Sequence, residues 1–155
     1  VLVDDLPAYQ FIQDDAVLRG GEVTVGYAIT PQWQLTAMAD RVRAELVDGG
    51  NLPRMPSDRI GTGVNYQALH WQGFVNWIHN AEQNHLADNG EIPTASYQLL
   101  DAGIGYRWYL PTVEYQLDLK GTNLLDEVVR YHTSFVKNTV PQPGRGFQLA
   151  FAAQF

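Results

Sequence analysis

The sequence predicts an all-β fold, an antiparallel up-and-down meander of about seven strands. Apolar residues recur at every second position over most of the chain, which is the period of a strand with two unlike faces. The patterned segments are separated by connections rich in Gly, Pro, Asn and Asp. Those connections alternate between short and long.

The elements follow in order. Val23, Val25, Tyr27 and Ile29 oppose Glu22, Thr24, Gly26 and Ala28. A second strand is expected near Gln34 to Leu46, with less clean alternation. Ile60, Thr62, Val64 and Tyr66 oppose Gly61, Gly63, Asn65 and Gln67, and Trp71 to His79 reads as the next strand. Leu100, Ala102, Ile104, Tyr106 and Trp108 then oppose Asp101, Gly103, Gly105 and Arg107. Val113, Tyr115, Leu117 and Leu119 alternate with Glu114, Gln116, Asp118 and Lys120, so one face is charged. The last strand sets Phe147, Leu149, Phe151, Ala153 and Phe155 against Gln148, Ala150, Ala152 and Gln154.

Thr30-Pro31-Gln32-Trp33, Leu69-His70 and Leu110-Pro111-Thr112 are tight turns, whereas Val47 to Asp58, Asn80 to Ala95 and Asn123 to Gly144 are long linkers. Counted back from Phe155, every short turn falls on the side of the C-terminus. Short periplasmic turns and long extracellular loops are the rhythm of a transmembrane β-barrel. Trp33, Trp71, Trp108, Tyr109 and Phe155 gather on the short-turn side, as an interfacial aromatic girdle requires.

Composition narrows the function. No apolar run approaches the roughly 20 residues of a spanning helix, but a spanning strand needs only about 9–11. The absence of cysteine removes disulfides and thiolate metal sites, and a net charge of -7 argues against a nucleic-acid partner. Val1-Leu2-Val3-Asp4-Asp5 does not open like a signal peptide, so an exported protein would have this chain as an internal or processed piece. No nucleophile elbow, phosphate-binding glycine loop or His-Glu-x-x-His pair is present, and no enzymatic activity is expected.

Several stretches carry a more specific likeness. Lys120-Gly121-Thr122-Asn123-Leu124-Leu125-Asp126 resembles the motif at which the penultimate strand of TonB-dependent receptors enters the last long loop. Arg130 to Lys137, followed by Pro141-Gln142-Pro143-Gly144-Arg145, is similar to the end of that loop in the zinc-receptor-like branch. Gly49-Gly50-Asn51-Leu52-Pro53-Arg54-Met55-Pro56 resembles a further loop-to-strand element of the same branch, and the strand ending in Phe155 resembles the C-terminal assembly signal of outer-membrane barrels. The resemblance implies that residues 1–155 are the last strands of a 22-stranded barrel, without its plug domain. It implies a place in the bacterial outer membrane and energised uptake of a metal ion or metal chelate (zinc, copper or an iron siderophore). Its partners would be outer-membrane lipid, the plug and remaining strands, and the TonB complex reached through an N-terminal part. No resident cofactor is required. Seven strands alone leave two open edges and an apolar face, so the isolated piece is expected to self-associate.

A cargo metal would be met by imidazole and carboxylate in the extracellular loops. Glu82, His85, Asp88 and Glu91 lie in the second long linker with His79 at its mouth, and Asp126, Glu127 and His132 lie in the third. His85 and His132 with a carboxylate, Glu82 or Asp88, are the candidate ligands, although solvated loop residues have the same composition. Asp4, Asp5, Asp14 and Asp15 add acidity near the start. Asn123 and Asp126 flank two leucines and suit a turn closed by side-chain hydrogen bonds. Arg107, Glu114, Asp118 and Lys120 should face the lumen and pair across strands. Two other readings fit the pattern: a complete small barrel serving as anchor or adhesin, with an extra strand in Tyr9 to Gln13, and a soluble lipocalin-like binding barrel.

Overall fold

The computed structural model describes residues 2, 3, 6, 7 and 13–155. Asp4, Asp5 and most of the candidate extra strand Tyr9 to Gln13 lie outside the described residues. Near the start, β1 (Leu2–Val3) and β2 (Leu6–Pro7) form a small antiparallel pair. The remaining strands are β3 (Ala16–Ala28), β4 (Trp33–Leu46), β5 (Arg59–Gln67), β6 (Trp71–Asn80), β7 (Tyr97–Tyr109), β8 (Glu114–Thr122) and β9 (Gly146–Gln154). They form one seven-stranded sheet in sequence order, each antiparallel to the next. The expected meander is therefore the observed one, and each strand falls where the period-two pattern places it.

The register assigns every residue to a face. Leu119 stands opposite Ile104 and Leu149, while Lys120 stands opposite Gly103 and Gln148. Following such pairs across the sheet, Val25, Leu35, Val64, Val75, Ala102, Leu117 and Phe151 share one face. Thr36, Gly63, Asn76, Asp101, Gln116 and Ala152 share the other. Large apolar side chains of the first face are exposed, among them Val25 at 56%, Ile104 at 53% and Leu149 at 69%. The described buried apolar residues are Ala44, Ala87, Tyr97 and Val129, all at or beside the long connections. A water-soluble sheet would hide that face. Here it stays exposed, as the outer face of a membrane-spanning strand would be.

Aromatic rings mark one end of that face. Trp33 packs on Tyr66 with centroids 4.7 Å apart and Trp71 on Tyr106 at 4.6 Å. The series continues through Trp108, Tyr115 and Phe151 at 5.6 and 5.7 Å. Tyr109 reaches over the neighbouring turn to donate its hydroxyl to the Leu69 carbonyl at 3.4 Å. This belt borders the short turns, each closed locally. The Thr30 hydroxyl accepts from the backbone N–H of Gln32 and Trp33, and Ala68 and Leu110 donate to the carbonyls of Trp71 and Val113. The long connections 47–58, 81–96 and 123–145 project from the opposite end.

Candidate functional site

The inward wall begins with missing side chains. Gly61, Gly63, Gly103 and Gly105 all occupy the polar face, as their register partners show. At Gly105 an added Cβ would meet Asp118 and lie 2.8 Å from the Gln72 side chain, so larger residues would break what surrounds it. What surrounds it is a polar ladder. Gln72 Nε2 donates to Asp118 Oδ1 at 2.8 Å, Gln116 Nε2 donates to Asp118 Oδ2 at 2.6 Å, and Arg107 donates to Gln116 Oε1 at 2.9 Å. Arg107 closes the series on Glu114 at 2.9 Å. Of the charged residues expected to face the lumen, Arg107, Glu114 and Asp118 are thus bonded across strands. Lys120 makes no ion pair among the described residues. A trough of about 640 Å³ lies along this wall, with Asn65, Gln72, Phe74, Gly103, Asp118 and Lys120 among its lining.

At the other end, the three long loops converge on buried polar groups. Gln83, 1% exposed, donates to the carbonyls of Met55 and Pro56 at 3.0 and 2.8 Å, while its Oε1 accepts from the His85 N–H at 3.0 Å. Its backbone exchanges hydrogen bonds with Thr94 at 3.0 and 3.2 Å, which closes the second loop. Asn51 Nδ2 donates to the Leu86 carbonyl at 3.0 Å, and the Arg54 guanidinium lies 3.5 Å from the Phe135 ring centre. The first loop is thereby tied to both others.

Glu91, His132 and Lys137 form the centre of this cluster, with side chains 5%, 1% and 7% exposed. Glu91 Oε1 meets His132 Nε2 at 3.0 Å, Lys137 Nζ at 3.1 Å and the Arg54 N–H at 2.8 Å. Its second oxygen accepts from the Ala87 N–H at 3.2 Å. Thr94 Oγ1 lies 3.0 Å from His132 Nδ1. Burial works to raise the Glu91 carboxyl, but the two backbone N–H groups and the Lys137 ammonium outweigh it and hold it below its ordinary value. Burial, helped by the charge of Lys137, pushes His132 below the usual imidazole value, against the opposing pull of Glu91. A neutral imidazole packed between an ammonium and a carboxylate ties the loops together.

The candidate metal ligands separate in this arrangement. Glu82, His85 and Asp88 sit in the second loop, where Glu82 accepts from Asn84 Nδ2 at 2.9 Å. His132 is committed to Glu91, Thr94 and Lys137. Among the described residues there is no group of three or more His, Asp or Glu placed to hold a metal. Glu91 was visible in sequence as one acid among several, and Lys137 only as the last residue of a stretch resembling a receptor loop, with nothing to pair the two.

Asn123 and Asp126 occupy the turn expected of them. Both have left-handed backbones, with φ of 48° and 59°. Asn123 Oδ1 accepts from the Glu127 N–H at 3.0 Å while its Nδ2 donates to the Glu127 carbonyl at 2.9 Å. Asp101 accepts from the Asn123 N–H at 2.9 Å, and Asp126 accepts from the Arg145 N–H at 2.9 Å. Leu124 donates its N–H to the Leu100 carbonyl at 2.8 Å. The motif thus fastens the start of the third loop to β7 and to the entry of β9. Phe155, beyond the end of β9, is 93% exposed.

A family model described as "TonB dependent receptor-like, beta-barrel" matches residues 2–124, which is most of the chain. Among solved structures the chain is similar to one titled "Copper transporter OprC", with a TM-score of 0.73 and 24% identity. The superposition covers 90% of this chain and 23% of that one, so the chain spans about a quarter of that protein's length. The likeness concerns the fold. An outward apolar face, an inward polar wall and the alternation of short turns with long loops agree with the sequence match: the chain belongs to the TonB-dependent receptor-like β-barrel family.

Proposed function

We propose that this chain is the C-terminal barrel wall of a bacterial outer-membrane receptor that takes up a metal ion or metal chelate with energy delivered through the TonB complex. The observation that carries the reading is the two-faced sheet. Its lipid side is apolar, and its inward side pairs small residues with a bonded polar ladder. Such a wall suits a folded plug that must seat against it and still move. Family membership supports the outer-membrane location, a plug partner and coupling to TonB. The apolar face turned outward supports this reading over a lipocalin-like one, and the long likeness to part of a larger barrel supports it over a small anchor.

For the cargo, the resemblance of the loop segments points to the zinc-receptor-like branch, and the name of the similar structure points to copper. A ferric siderophore is the third class. Glu82, His85 and Asp88 are the proposed loop donors, with His132 joining them only once Lys137 and Glu91 release it. No catalytic role is proposed. The test is uptake of radiolabelled zinc, copper and ferric siderophore by cells carrying the full-length receptor, with and without a protonophore. Protonophore-sensitive accumulation of one metal, weakened by His85→Ala, is expected. Equal, protonophore-insensitive entry of all three would overturn the reading.

A further inference from the structure

Where the outward face of β3 and β4 reaches the long-loop end, its apolar residues give way to arginine. Val23 stands opposite Ala39, Gly21 opposite Arg41, and Arg19 directly opposite Arg43. Directly opposed residues have Cβ atoms about 4.5–5.5 Å apart, and like charges so placed repel. Asp58 answers part of that charge. It takes Arg43 in a two-pronged pair at 2.6 and 2.9 Å and lies 3.7 Å from Arg41 Nε. Arg19 makes no ion pair among the described residues, and the Arg41 side chain is 65% exposed. The register puts Glu45 on the same face, two residues beyond Arg43 and further from the apolar band. Gly21, between Arg19 and Val23 on this face, leaves a gap: an added Cβ would meet nothing within 4 Å.

We propose that Arg19 and Arg41, flanking the Asp58-anchored Arg43, bind the phosphate of an anionic lipid in the outer leaflet, with the headgroup seated over Gly21. The juxtaposition has the chemistry for it. Guanidinium forks match phosphate oxygens, and the arginines sit at the boundary where the apolar band ends and headgroups begin. On the outward face of these two strands the acid is Glu45, on the loop side of Arg43, while Glu22 and Asp40 point to the other face and Asp58 on the neighbouring segment is held by Arg43. A bridging anion also removes the repulsion between Arg19 and Arg43.

This site rests on the barrel lying in the outer membrane, and the experiment separates the two claims. The full-length receptor is purified in detergent, and its folded state is checked by heat-modifiable electrophoretic migration. It is then mixed with a bisphosphorylated glycolipid, the same glycolipid stripped of phosphate, or inorganic phosphate, and bound lipid is read by native mass spectrometry. Loss of the folded band for the unaltered receptor would count against the barrel reading itself. With that band present, retention of the bisphosphorylated lipid should fall roughly thirtyfold in Arg19→Gln/Arg41→Gln, at about a factor of five per arginine. It should recover in part in Arg19→Lys/Arg41→Lys, and Gly21→Ile should weaken it with the charge intact. Equal retention by the Gln variant, equal retention of the phosphate-free lipid, or full displacement by millimolar inorganic phosphate would each overturn the proposal.

Discussion

Replacing Lys137 by Met removes the cation that holds the three loops together. The ammonium sits 3.1 Å from Glu91 Oε1 and 3.1 Å from His132 Nε2, with its side chain only 7% exposed. Removing one partner of a buried pair costs about 3–5 kcal/mol, because the other charge stays behind. Glu91 keeps the N–H groups of Arg54 and Ala87 at 2.8 and 3.2 Å, so the lower end, about 3 kcal/mol, applies. That corresponds to roughly a hundredfold rise in local opening. Hydrogen exchange on the full-length receptor in a bilayer reads it directly. The amides of Gln83, Ala87 and Thr94 should lose about two orders of magnitude of protection, while those of β7 stay unchanged. A change below about threefold at those amides would refute the idea that the buried pair latches the loops.

Further outcomes follow from the same geometry. His132 is held neutral by burial and Lys137, so its folded value lies below its unfolded one. The unfolded loop then takes up a proton first, and latch stability is full above about pH 6.5 and falls as pH drops below it. Exchange at Thr94, corrected for intrinsic rates, should quicken between about pH 6.5 and 5.5 in the unaltered protein and not in His132→Gln. At Asn123, φ is 48° and three side-chain hydrogen bonds are made, so Asn123→Ala should cost about 2–4 kcal/mol. Asn123→Gly, which relieves the backbone, should cost about 1–2 kcal/mol less than that in urea unfolding of the receptor. Leu119→Arg places a cation on the lipid face and should destabilise by about 2–4 kcal/mol, whereas Gln148→Arg on the inward face should cost under about 0.5 kcal/mol.

The strands were legible because period-two patterning is a local property. Leu117, Leu119, Gln116 and Asp118 declare their faces with no knowledge of their neighbours, and the three-dimensional register agrees. The Asn123–Asp126 turn was legible for a similar reason, since its main bonds close within four residues. The loop cluster was not. Glu91 and Lys137 stand 46 positions apart, and nothing local distinguishes Glu91 from Glu82 or Lys137 from a solvated lysine. His132 could be singled out as a titratable loop residue, but its contacts with Lys137 and Glu91 depend on how the loops fold together. The opposition of Arg19 and Arg43 likewise depends on a register set by the turn at 29–32. Patterning on its own does not reveal it.

The central claim is that this sheet faces lipid on one side and the barrel interior on the other. The chain contains no cysteine, so single cysteines can be placed at successive positions of β8, from Tyr115 to Lys120, in the full-length receptor after removal of any cysteines elsewhere. Each is labelled with a fluorophore and reconstituted into bilayers whose lipids carry nitroxide quenchers. Strong quenching at Tyr115→Cys, Leu117→Cys and Leu119→Cys, with weak quenching at Gln116→Cys, Asp118→Cys and Lys120→Cys, is the predicted result. Uniform quenching along the strand, or the opposite phase, would contradict the account.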